Sequence, residues 1–310
     1  MAPMSWNEAA LLCWLARRAR PPGLVGSQGH DAAVLRRLPG LPVVCADQVI
    51  EGVHAQAGCP GRVLGRKAAG RALSDLAATA ARPHALLLCI SAPQGERASR
   101  LRAVIEGVDA KAREHGAALV GGDLAETSGP LSLAVSALGS FSGRRRAPGR
   151  DRARPGELVL ASGAFGGSAL GRHLEPVPRF ELAEFLCAAG ARALMDVSDG
   201  LALDLSRLAA AARVRIDLAH VPIHADARRA ARQSGRTPRA HALADGEDHE
   251  LLATLAPAAW RALQGAAARR FPSLAVIGSV RRGAGLWLAA EDGGRPLRPW
   301  DGRGGWIHGG

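Results

Sequence analysis

Five aspartates in short motifs of small residues are the side chains of this sequence best suited to chemistry: Asp31, Asp47, Asp75, Asp123 and Asp199. Apolar runs typical of β-strands precede two of them, at residues 42–45 (PVVC) and 118–120 (ALV). A carboxylate beside glycine just past a strand end is exposed at a sheet edge, where a ligand can approach. Carboxylates gathered there repel one another unless a cation neutralises them, and their hard oxygens suit Mg²⁺ bridging phosphates. The pattern predicts a magnesium–nucleotide site built from distant segments.

Four of these motifs allow more than one interpretation. The Asp31 motif, GHDAAV, could form a plain turn. Asp47 is followed closely by Glu51 and His54, and this group could bind metal or phosphate or form a solvated loop. Asp75 lies within or at the start of a predicted helix, and Asp199 lies before one, so that both could cap a helix as well as bind metal. Asp123 is a sharper candidate, because the two preceding glycines let the backbone approach a ligand.

Two further segments could contact a substrate. Residues 162–169 (SGAFGGSA) form a glycine-rich loop that could hold phosphate through backbone N–H groups, although the spacing differs from the GxxxxGK[ST] phosphate loop. Residues 246–250 (GEDHE) could form a surface turn or a substrate wall. No Ser–His–Asp order and no HExxH pattern is legible.

Helical and strand periods alternate along the chain, which predicts an α/β or α+β class. Helices are predicted at residues 8–20, 63–81, 98–115, 180–189, 201–213 and 257–268, and strands at 34–35, 43–45, 85–90, 118–120, 131–139, 158–160, 215–218 and 275–277. Residues 142–155 are rich in Gly, Pro and Arg and read as a connection between domains. We therefore expect two domains, at residues 1–145 and 146–310.

Composition excludes several classes of protein. With 310 residues and 47% apolar residues the chain can form a large core. The net charge of +12 comes from scattered arginines, and the chain has no Tyr, so we expect no nucleic-acid site, which needs a focused basic face and stacking residues. No apolar run is long enough to span a bilayer, so we expect no membrane partner. Five cysteines without a CxxC pair, and a start without a signal-peptide pattern, suggest buried thiols in the cytoplasm.

Taken in order, the motifs resemble the thiamine-monophosphate kinase family, which shares a superfamily with aminoimidazole-ribonucleotide synthetase and selenophosphate synthetase. The resemblance extends from about Gly29 to Leu252 and rests on these segments: GHDAAVL, ADQVIEGVHA, KAAGRALSDLAA, GGD, PGELVLASGAFGGSALG, ALMDVSDGLALDL and ALADGEDHELL. It implies a homodimer formed through the N-terminal sheet and a C-terminal α/β domain that covers the active site. It also implies direct in-line transfer from ATP to thiamine monophosphate with Mg²⁺.

The resemblance assigns roles residue by residue. It implies metal and ATP-phosphate binding for the five aspartates, and a place beside the nucleotide for Gly121 and Gly122. Arg150 matches a family arginine near the phosphates, and Ser198 would lie beside the metal. Glu247 and Asp248 would lie toward the thiamine phosphate, and Asp47 with His54 toward the nucleotide.

The chain departs from the family pattern at His30, Ala55, Ala72, Leu124 and His249, and the C-terminal aromatic pattern is echoed only by residues 305–308 (GWIH). The loss of one acid at His30 would weaken one metal site, and the loss of aromatic residues at Ala55 and His249 bears on recognition of the thiamine rings. Two alternatives remain open from the sequence: an ATP-dependent enzyme of the same superfamily with another substrate, and a catalytically weak nucleotide-binding protein.

Overall fold

The computed structural model describes residues 6–25, 31–143, 146–290 and 297–306. Predictions made for Gly29, His30, Arg144, Arg145, Ile307 and His308 lie outside these residues. The chain divides into two compact units, of which the first contains Met1–Leu76 and Ala81–Ser142 and the second contains Ala77–Ala80 and Gly143–Gly310.

The first unit is built on a four-stranded sheet with helices on one face. Its elements in chain order are α1 (Glu8–Ala16), β1 (Leu24–Val25), β2 (Val34–Leu35), β3 (Leu41–Ile50), α2 (Gly61–Ala78), β4 (Arg82–Pro93), α3 (Ala98–Glu114), β5 (Ala118–Thr127) and β6 (Ser132–Phe141). The strand order is β3-β6-β4-β5, in which only the β4–β5 pair is parallel, and β1 and β2 form a separate antiparallel ribbon. The edge strands are therefore β3 and β5.

The two faces of this sheet differ in cover. Leu131 and the side chains at alternate positions 133, 135 and 137 are at most 1% exposed. The opposite face of the sheet is open within the unit, since Val44 is 70% and Leu87 42% exposed and Ser136, which pairs with Leu87, is half-buried. The helices of the same chain cover the alternating side chains at residues 131–137, so these side chains need no second cover. The residues that need a cover are those on the other face.

The second unit is a seven-stranded sheet with helices on both faces. Its elements are β7 (Leu158–Ala161), α4 (Phe180–Ala188), β8 (Leu194–Asp196), α5 (Leu201–Ala212), β9 (Arg215–Leu218), α6 (Ala225–Ser234), α7 (Pro238–Ala244), β10 (Leu251–Leu255), α8 (Pro257–Arg270), β11 (Ala275–Arg281), β12 (Gly285–Leu288) and β13 (Arg298–Pro299). The strand order is β13-β12-β9-β11-β7-β10-β8. Helix α5 packs on one face through Leu201, Leu205 and Leu208, and α4 packs on the other through Leu182 and Leu186.

The mixed α/β class predicted from the sequence is confirmed. Several strands are longer than predicted, however, and two of them carry candidate site residues. Strand β3 continues to Ile50 and β5 continues to Thr127, because both pair with a neighbour along their whole length. Asp47 and Asp123 thus lie inside strands, and the expectation that they follow strand ends is wrong. No helix of the described residues is long and apolar enough to cross a membrane.

Candidate functional site

Asp47 lies in edge strand β3 and is bound by an arginine of the neighbouring helix. Arg71 of α2 donates from Nε to Oδ2 at 2.9 Å and from a terminal nitrogen to Oδ1 at 3.0 Å. Oδ1 also accepts the N–H of Gln48 at 2.6 Å. A two-point arginine–carboxylate pair of this kind fixes the carboxylate and neutralises its charge.

Glu51 and His54, predicted together with Asp47, instead hold the turn after β3. Glu51 accepts the N–H of Gly58 at 2.7 Å and pairs with Arg100 of α3, which also pairs with Glu96 at 2.6 Å. Nδ1 of His54 accepts the N–H of Ile50 at 3.0 Å. The structure therefore separates these two side chains from Asp47 and assigns them contacts that order the chain between β3 and α2.

Asp123 is exposed in the other edge strand, β5, and the two glycines before it lie next to an irregularity in the pairing of β5 with β4. The register between β4 and β5 shifts at Leu86–Leu87, which indicates a β-bulge. Gly122 has φ +155°, and a Cβ there would lie 1.8 Å from the carbonyl oxygen of Leu88. Gly122 is thus required for close approach of β4, whereas a Cβ at Gly121 would meet only the side chain of Leu87, at 3.2 Å.

Asp31 and Asp75 occupy different local structures. Asp31 is exposed just before β2, while Asp75 is half-buried in the interior of α2 and caps no helix terminus. Within the described part of the chain, no hydrogen bond or ion pair engages the carboxylate of Asp31 or of Asp123. Of the four candidate aspartates in the first unit, Asp31 and Asp123 are consequently the ones with uncompensated, accessible oxygen atoms.

Asp199 lies in the second unit, in the turn between β8 and α5. Its carboxylate pairs with Arg207, and its N–H donates to Oδ2 of Asp204 at 2.9 Å. The N–H of Ser198 donates to the same oxygen at 3.0 Å, and the carbonyl of Ser198 accepts the N–H of Glu247 at 2.6 Å. The sequence motif MDVSDG therefore forms a tight, fully bonded turn that presents the Asp199 side chain.

Asp204 was missed by the sequence reasoning, although it stands in the motif ALDL, five residues after Asp199. It is 1% exposed and also pairs with Arg207 through Oδ1 at 3.0 Å. Burial raises the pKa of its carboxyl group to about 6, although the N–H of Asp199 acts in the opposite direction. An acidic residue at the fourth position of a helix can accept the N–H groups that precede the helix. This spacing is a sequence signal by which Asp204 could have been found.

Asp248 closes the glycine-rich loop from within. Its carboxylate accepts the N–H of Gly166 through both oxygens, at 3.1 and 3.0 Å, and pairs with Arg172 at 2.9 Å. Asp245 accepts the N–H of Gly167 at 2.8 Å. Burial raises the pKa of the Asp248 carboxyl to about 7, against the lowering effect of Arg172. The loop amides that could have held a phosphate thus bind carboxylates of the same chain.

The residues beside Asp248 are held in strained backbone. Glu247 and His249 have φ of +59° and +50°, a region that costs a residue other than glycine about 1 kcal/mol or more. The N–H of His249 donates to the carbonyl of Val197 at 2.8 Å, and its buried Nδ1 lies 3.1 Å from Asp196. Glu247 is half-buried next to Ser198, so this segment is a wall of the Asp199 turn and not a free surface turn.

Arg150 is exposed on a single 3₁₀ turn, Arg150–Arg152, in the segment predicted to connect the domains. The neighbouring Arg152 is used locally, since it donates to the carbonyls of Arg146 and Ala147 at 2.7 and 2.6 Å. The guanidinium of Arg150 is therefore placed where an anion from solvent can reach it.

The predicted metal ligands do not form a cluster within one copy of the chain. Among the described residues, no group of three or more His, Cys, Asp or Glu side chains could hold a metal ion. Asp47 and Asp123 lie on opposite edges of a four-stranded sheet, and three strand spacings are about 14 Å, which is too far for a shared ion. The donor chemistry still fits Mg²⁺, which proteins commonly bind through one or two carboxylates plus substrate phosphates.

The comparisons with known proteins find several thiamine-monophosphate kinases. The family model of AIR synthase related protein, N-terminal domain, matches residues 29–141. A thiamine-monophosphate kinase of Rhodopirellula baltica is 38% identical over 264 residues, which cover 81% of this chain and 82% of that relative. The crystal structure of thiamine-monophosphate kinase from Stenotrophomonas maltophilia is 33% identical, with a TM-score of 0.76 over 92% of this chain and 97% of that one.

A further structure, AaThiL complexed with AMPPCP and TMP, has a TM-score of 0.75 over 97% of each chain and shares the fold at 24% identity. The motif series, the two-unit α/β fold and the identity over more than four fifths of a named relative all agree. The chain belongs to the thiamine-monophosphate kinase family.

Proposed function

We propose that this chain transfers the γ-phosphoryl group of ATP to thiamine monophosphate and forms thiamine diphosphate. The observation that carries the proposal is the 38% identity to a thiamine-monophosphate kinase over most of both chains. AaThiL, whose fold this chain shares, is complexed with TMP and with AMPPCP, an ATP analogue. These are the two kinds of ligand that the proposed reaction requires.

The acceptor explains why the chain needs no general base. A phosphate monoester has a second pKa of about 6 and is largely dianionic near neutral pH, so its oxygen can attack directly. The task of the protein is to hold two anions in line and to screen their repulsion. Exposed Arg150 is suited to the second role, and we expect no phosphorylated form of the protein as an intermediate.

The metal fits this scheme through a small number of oxygen ligands. In the first unit, Asp31 and Asp123 would hold Mg²⁺ together with the phosphates. Asp47 and Asp75 of the first unit and Asp199 of the second are the remaining proposed ligands. When bound, Mg²⁺ supplies charge neutralisation between the phosphate groups. The chain itself contributes the fixed turn that carries Asp199, and Asp248 contributes by closing the glycine-rich loop, since its side chain has no exposed surface.

We also propose that the protein functions as a homodimer formed by the open face of the four-stranded sheet. Val44 and Leu87 are large apolar side chains on that face, and both edge strands are open within the unit. If two such sheets close around each other, edge β3 of one copy lies near edge β5 of its partner. That arrangement would bring the Asp47 edge and the Asp123 edge together, which a single copy cannot do.

A cytoplasmic location follows from the proposed chemistry, because ATP is the co-substrate. The thiols are compatible with it, since none of the five cysteines forms a disulfide. The sequence-based expectation that all five thiols are buried is wrong. Cys13 and Cys89 are exposed, and only Cys59 is buried.

The test is to incubate the purified protein with ATP, Mg²⁺ and thiamine monophosphate and to follow thiamine diphosphate by chromatography and ³¹P NMR. We expect one thiamine diphosphate and one ADP per ATP consumed, and no product in the absence of Mg²⁺. Turnover of ATP only with another phosphate or carboxylate acceptor would identify a different enzyme of the superfamily. Binding of ATP with no turnover for any acceptor would identify a nucleotide-binding protein.

A further inference from the structure

The turn that carries Asp199 is bonded at every backbone polar group from Val197 to Asp199. The three N–H groups donate to the carbonyl of Glu250 and, in two cases, to Oδ2 of Asp204, at 2.9–3.0 Å. The three carbonyls accept N–H groups of His249, Glu247 and Trp306 at 2.8, 2.6 and 2.9 Å. All the partners except Asp204 are backbone groups, so Asp204 is, among the described residues, the one side chain on which the main chain of this turn depends.

Asp204 makes two different connections with its two oxygen atoms. Oδ2 receives the N–H groups of Ser198 and Asp199, and Oδ1 receives Arg207 at 3.0 Å. Since Asp204 is 1% exposed and lies on the first turns of α5, its position is set by the core of the second unit. The turn is therefore fastened to a rigid element and not to another loop.

Arg207 connects Asp204 to the side chain of Asp199. The same terminal nitrogen of Arg207 contacts Oδ2 of Asp199 and Oδ1 of Asp204. The guanidinium thus separates two carboxylates that would otherwise repel each other, and it fixes the direction of the half-buried Asp199 carboxylate. Asp199 is held by Asp204 twice, once through its backbone N–H and once through Arg207.

We infer that Asp204, acting with Arg207, is a positioning residue that sets the Asp199 carboxylate for phosphoryl transfer. This inference rests on the proposed function, because it takes Asp199 as a group that faces the metal and the phosphates. Outer partners of a metal-binding carboxylate typically change metal affinity or activity about 10- to 100-fold when they are removed. Neither residue touches the reacting atoms in this scheme.

The central variant is Asp204→Asn, which keeps the shape of the side chain. The side-chain oxygen of the Asn can still accept the N–H groups of Ser198 and Asp199. Its NH₂ group then replaces the oxygen that accepts from Arg207, so two hydrogen-bond donors face each other and the contact with Arg207 is lost. The second variant, Arg207→Met, keeps the length of a side chain that is 40% exposed and removes the bridge. The matched control is Asp217→Asn in β9, which likewise removes the negative charge of a carboxylate that pairs with an arginine. Oδ1 of Asp217 lies 2.5 Å from Nε of Arg215.

For Asp204→Asn we expect kcat to fall about tenfold or more and the Mn²⁺ affinity of the protein with bound ATP, measured by electron paramagnetic resonance, to fall by a similar factor. The KM for thiamine monophosphate should stay within about twofold, since the acceptor is not the group displaced. Arg207→Met should lower kcat comparably, and the double variant should lose little more than the worse single one, because both act through one network. Asp217→Asn should match the wild type.

The inference is overturned if Asp204→Asn keeps wild-type kcat and Mn²⁺ affinity, or if the losses of the two variants simply multiply. It is also overturned if the losses follow the thermal unfolding midpoints of the variants, which a purely structural role would produce. Failure of the proposed function looks different: the wild type then makes no thiamine diphosphate. In that case weaker Mn²⁺ binding in Asp204→Asn alone still supports the positioning role.

Discussion

At the scale of single residues, four of the five acidic side chains of the candidate site fall into two groups. Asp47 and Asp199 are each paired with an arginine, Arg71 and Arg207, so that their charge is neutralised within the chain. Asp31 and Asp123 are exposed, and no ion pair of the described residues engages them. A cation that binds at the first group competes with a guanidinium, whereas a cation at Asp123 does not. Asp123 should therefore be the more sensitive position.

Asp123→Asn should lower kcat by at least about a hundredfold, the order seen when one preorganised group that stabilises developing charge is removed. The exposed position predicts an unchanged thermal unfolding midpoint. Glu126→Gln, an exposed carboxylate in the same strand, serves as the control and should keep wild-type activity. Steady-state rates at limiting and saturating Mg²⁺ make the comparison, and full activity of Asp123→Asn at limiting Mg²⁺ would exclude a metal role.

Asp248 predicts a pH dependence of stability. Its folded-state pKa is raised from 3.8 to about 7, so the folded state binds the proton more tightly than the unfolded state does. The stabilisation is complete below about pH 4 and is lost as the pH rises toward about 7, by up to about 4 kcal/mol. Urea unfolding of wild type and Asp248→Asn between pH 4 and 8 measures it. The variant should lose the part of the pH dependence that Asp248 contributes, and parallel curves would contradict the prediction.

At the scale of elements, the bulge between β4 and β5 decides where the GGD motif lies. The motif does not end a strand but continues one, because Gly122 lets β5 pass close to the carbonyl of Leu88. The exposed side chain of Asp123 follows directly, so its position depends on this local departure from regular pairing. Gly122 is therefore required for the packing of the strands, and it affects the site only because that packing places Asp123.

Gly122→Ala should destabilise the protein by about 2 kcal/mol or more, because the added Cβ meets backbone and the φ of +155° is strained for alanine. The comparison is Gly95→Ala, where a Cβ meets nothing within 4 Å, and this variant should stay within about 0.5 kcal/mol of the wild type. Thermal unfolding midpoints decide between them. Equal midpoints for the two variants would show that the strand can shift to accommodate the methyl group.

At the scale of the whole molecule, the uncovered face of the four-stranded sheet is the main feature that one copy of the chain leaves unexplained. Its apolar side chains and its two open edges favour a second copy as the cover, as the family resemblance implies. The acids on the two edges give this assembly a chemical consequence, since the proposed site would then contain groups from both copies.

Light scattering at micromolar concentration should give the mass of a dimer for the wild type. Val44→Glu should shift the mass toward the monomer and lower activity, because it places a charge on the proposed interface while the side chain, 70% exposed in one copy, contributes little to the fold. Leu170→Glu changes an exposed leucine of the second unit and should leave the dimer intact. A monomeric wild type with full activity would contradict both the interface and the shared site.

The sequence by itself determined the class of fold, the family and the order of the acidic motifs. Apolar periodicity and turn residues are local signals, and motif order is preserved along the chain whatever the fold. Only the tertiary structure decided which acids are paired. The arginines on Asp47 and Asp199 come from helices packed nearby, and the role of Asp204 appears only when α5 is seen to reach back to the Asp199 turn. The glycine-rich loop makes the same point, because the N–H of Gly166 donates to Asp248, a residue 82 positions away, for which spacing along the chain offers no signal.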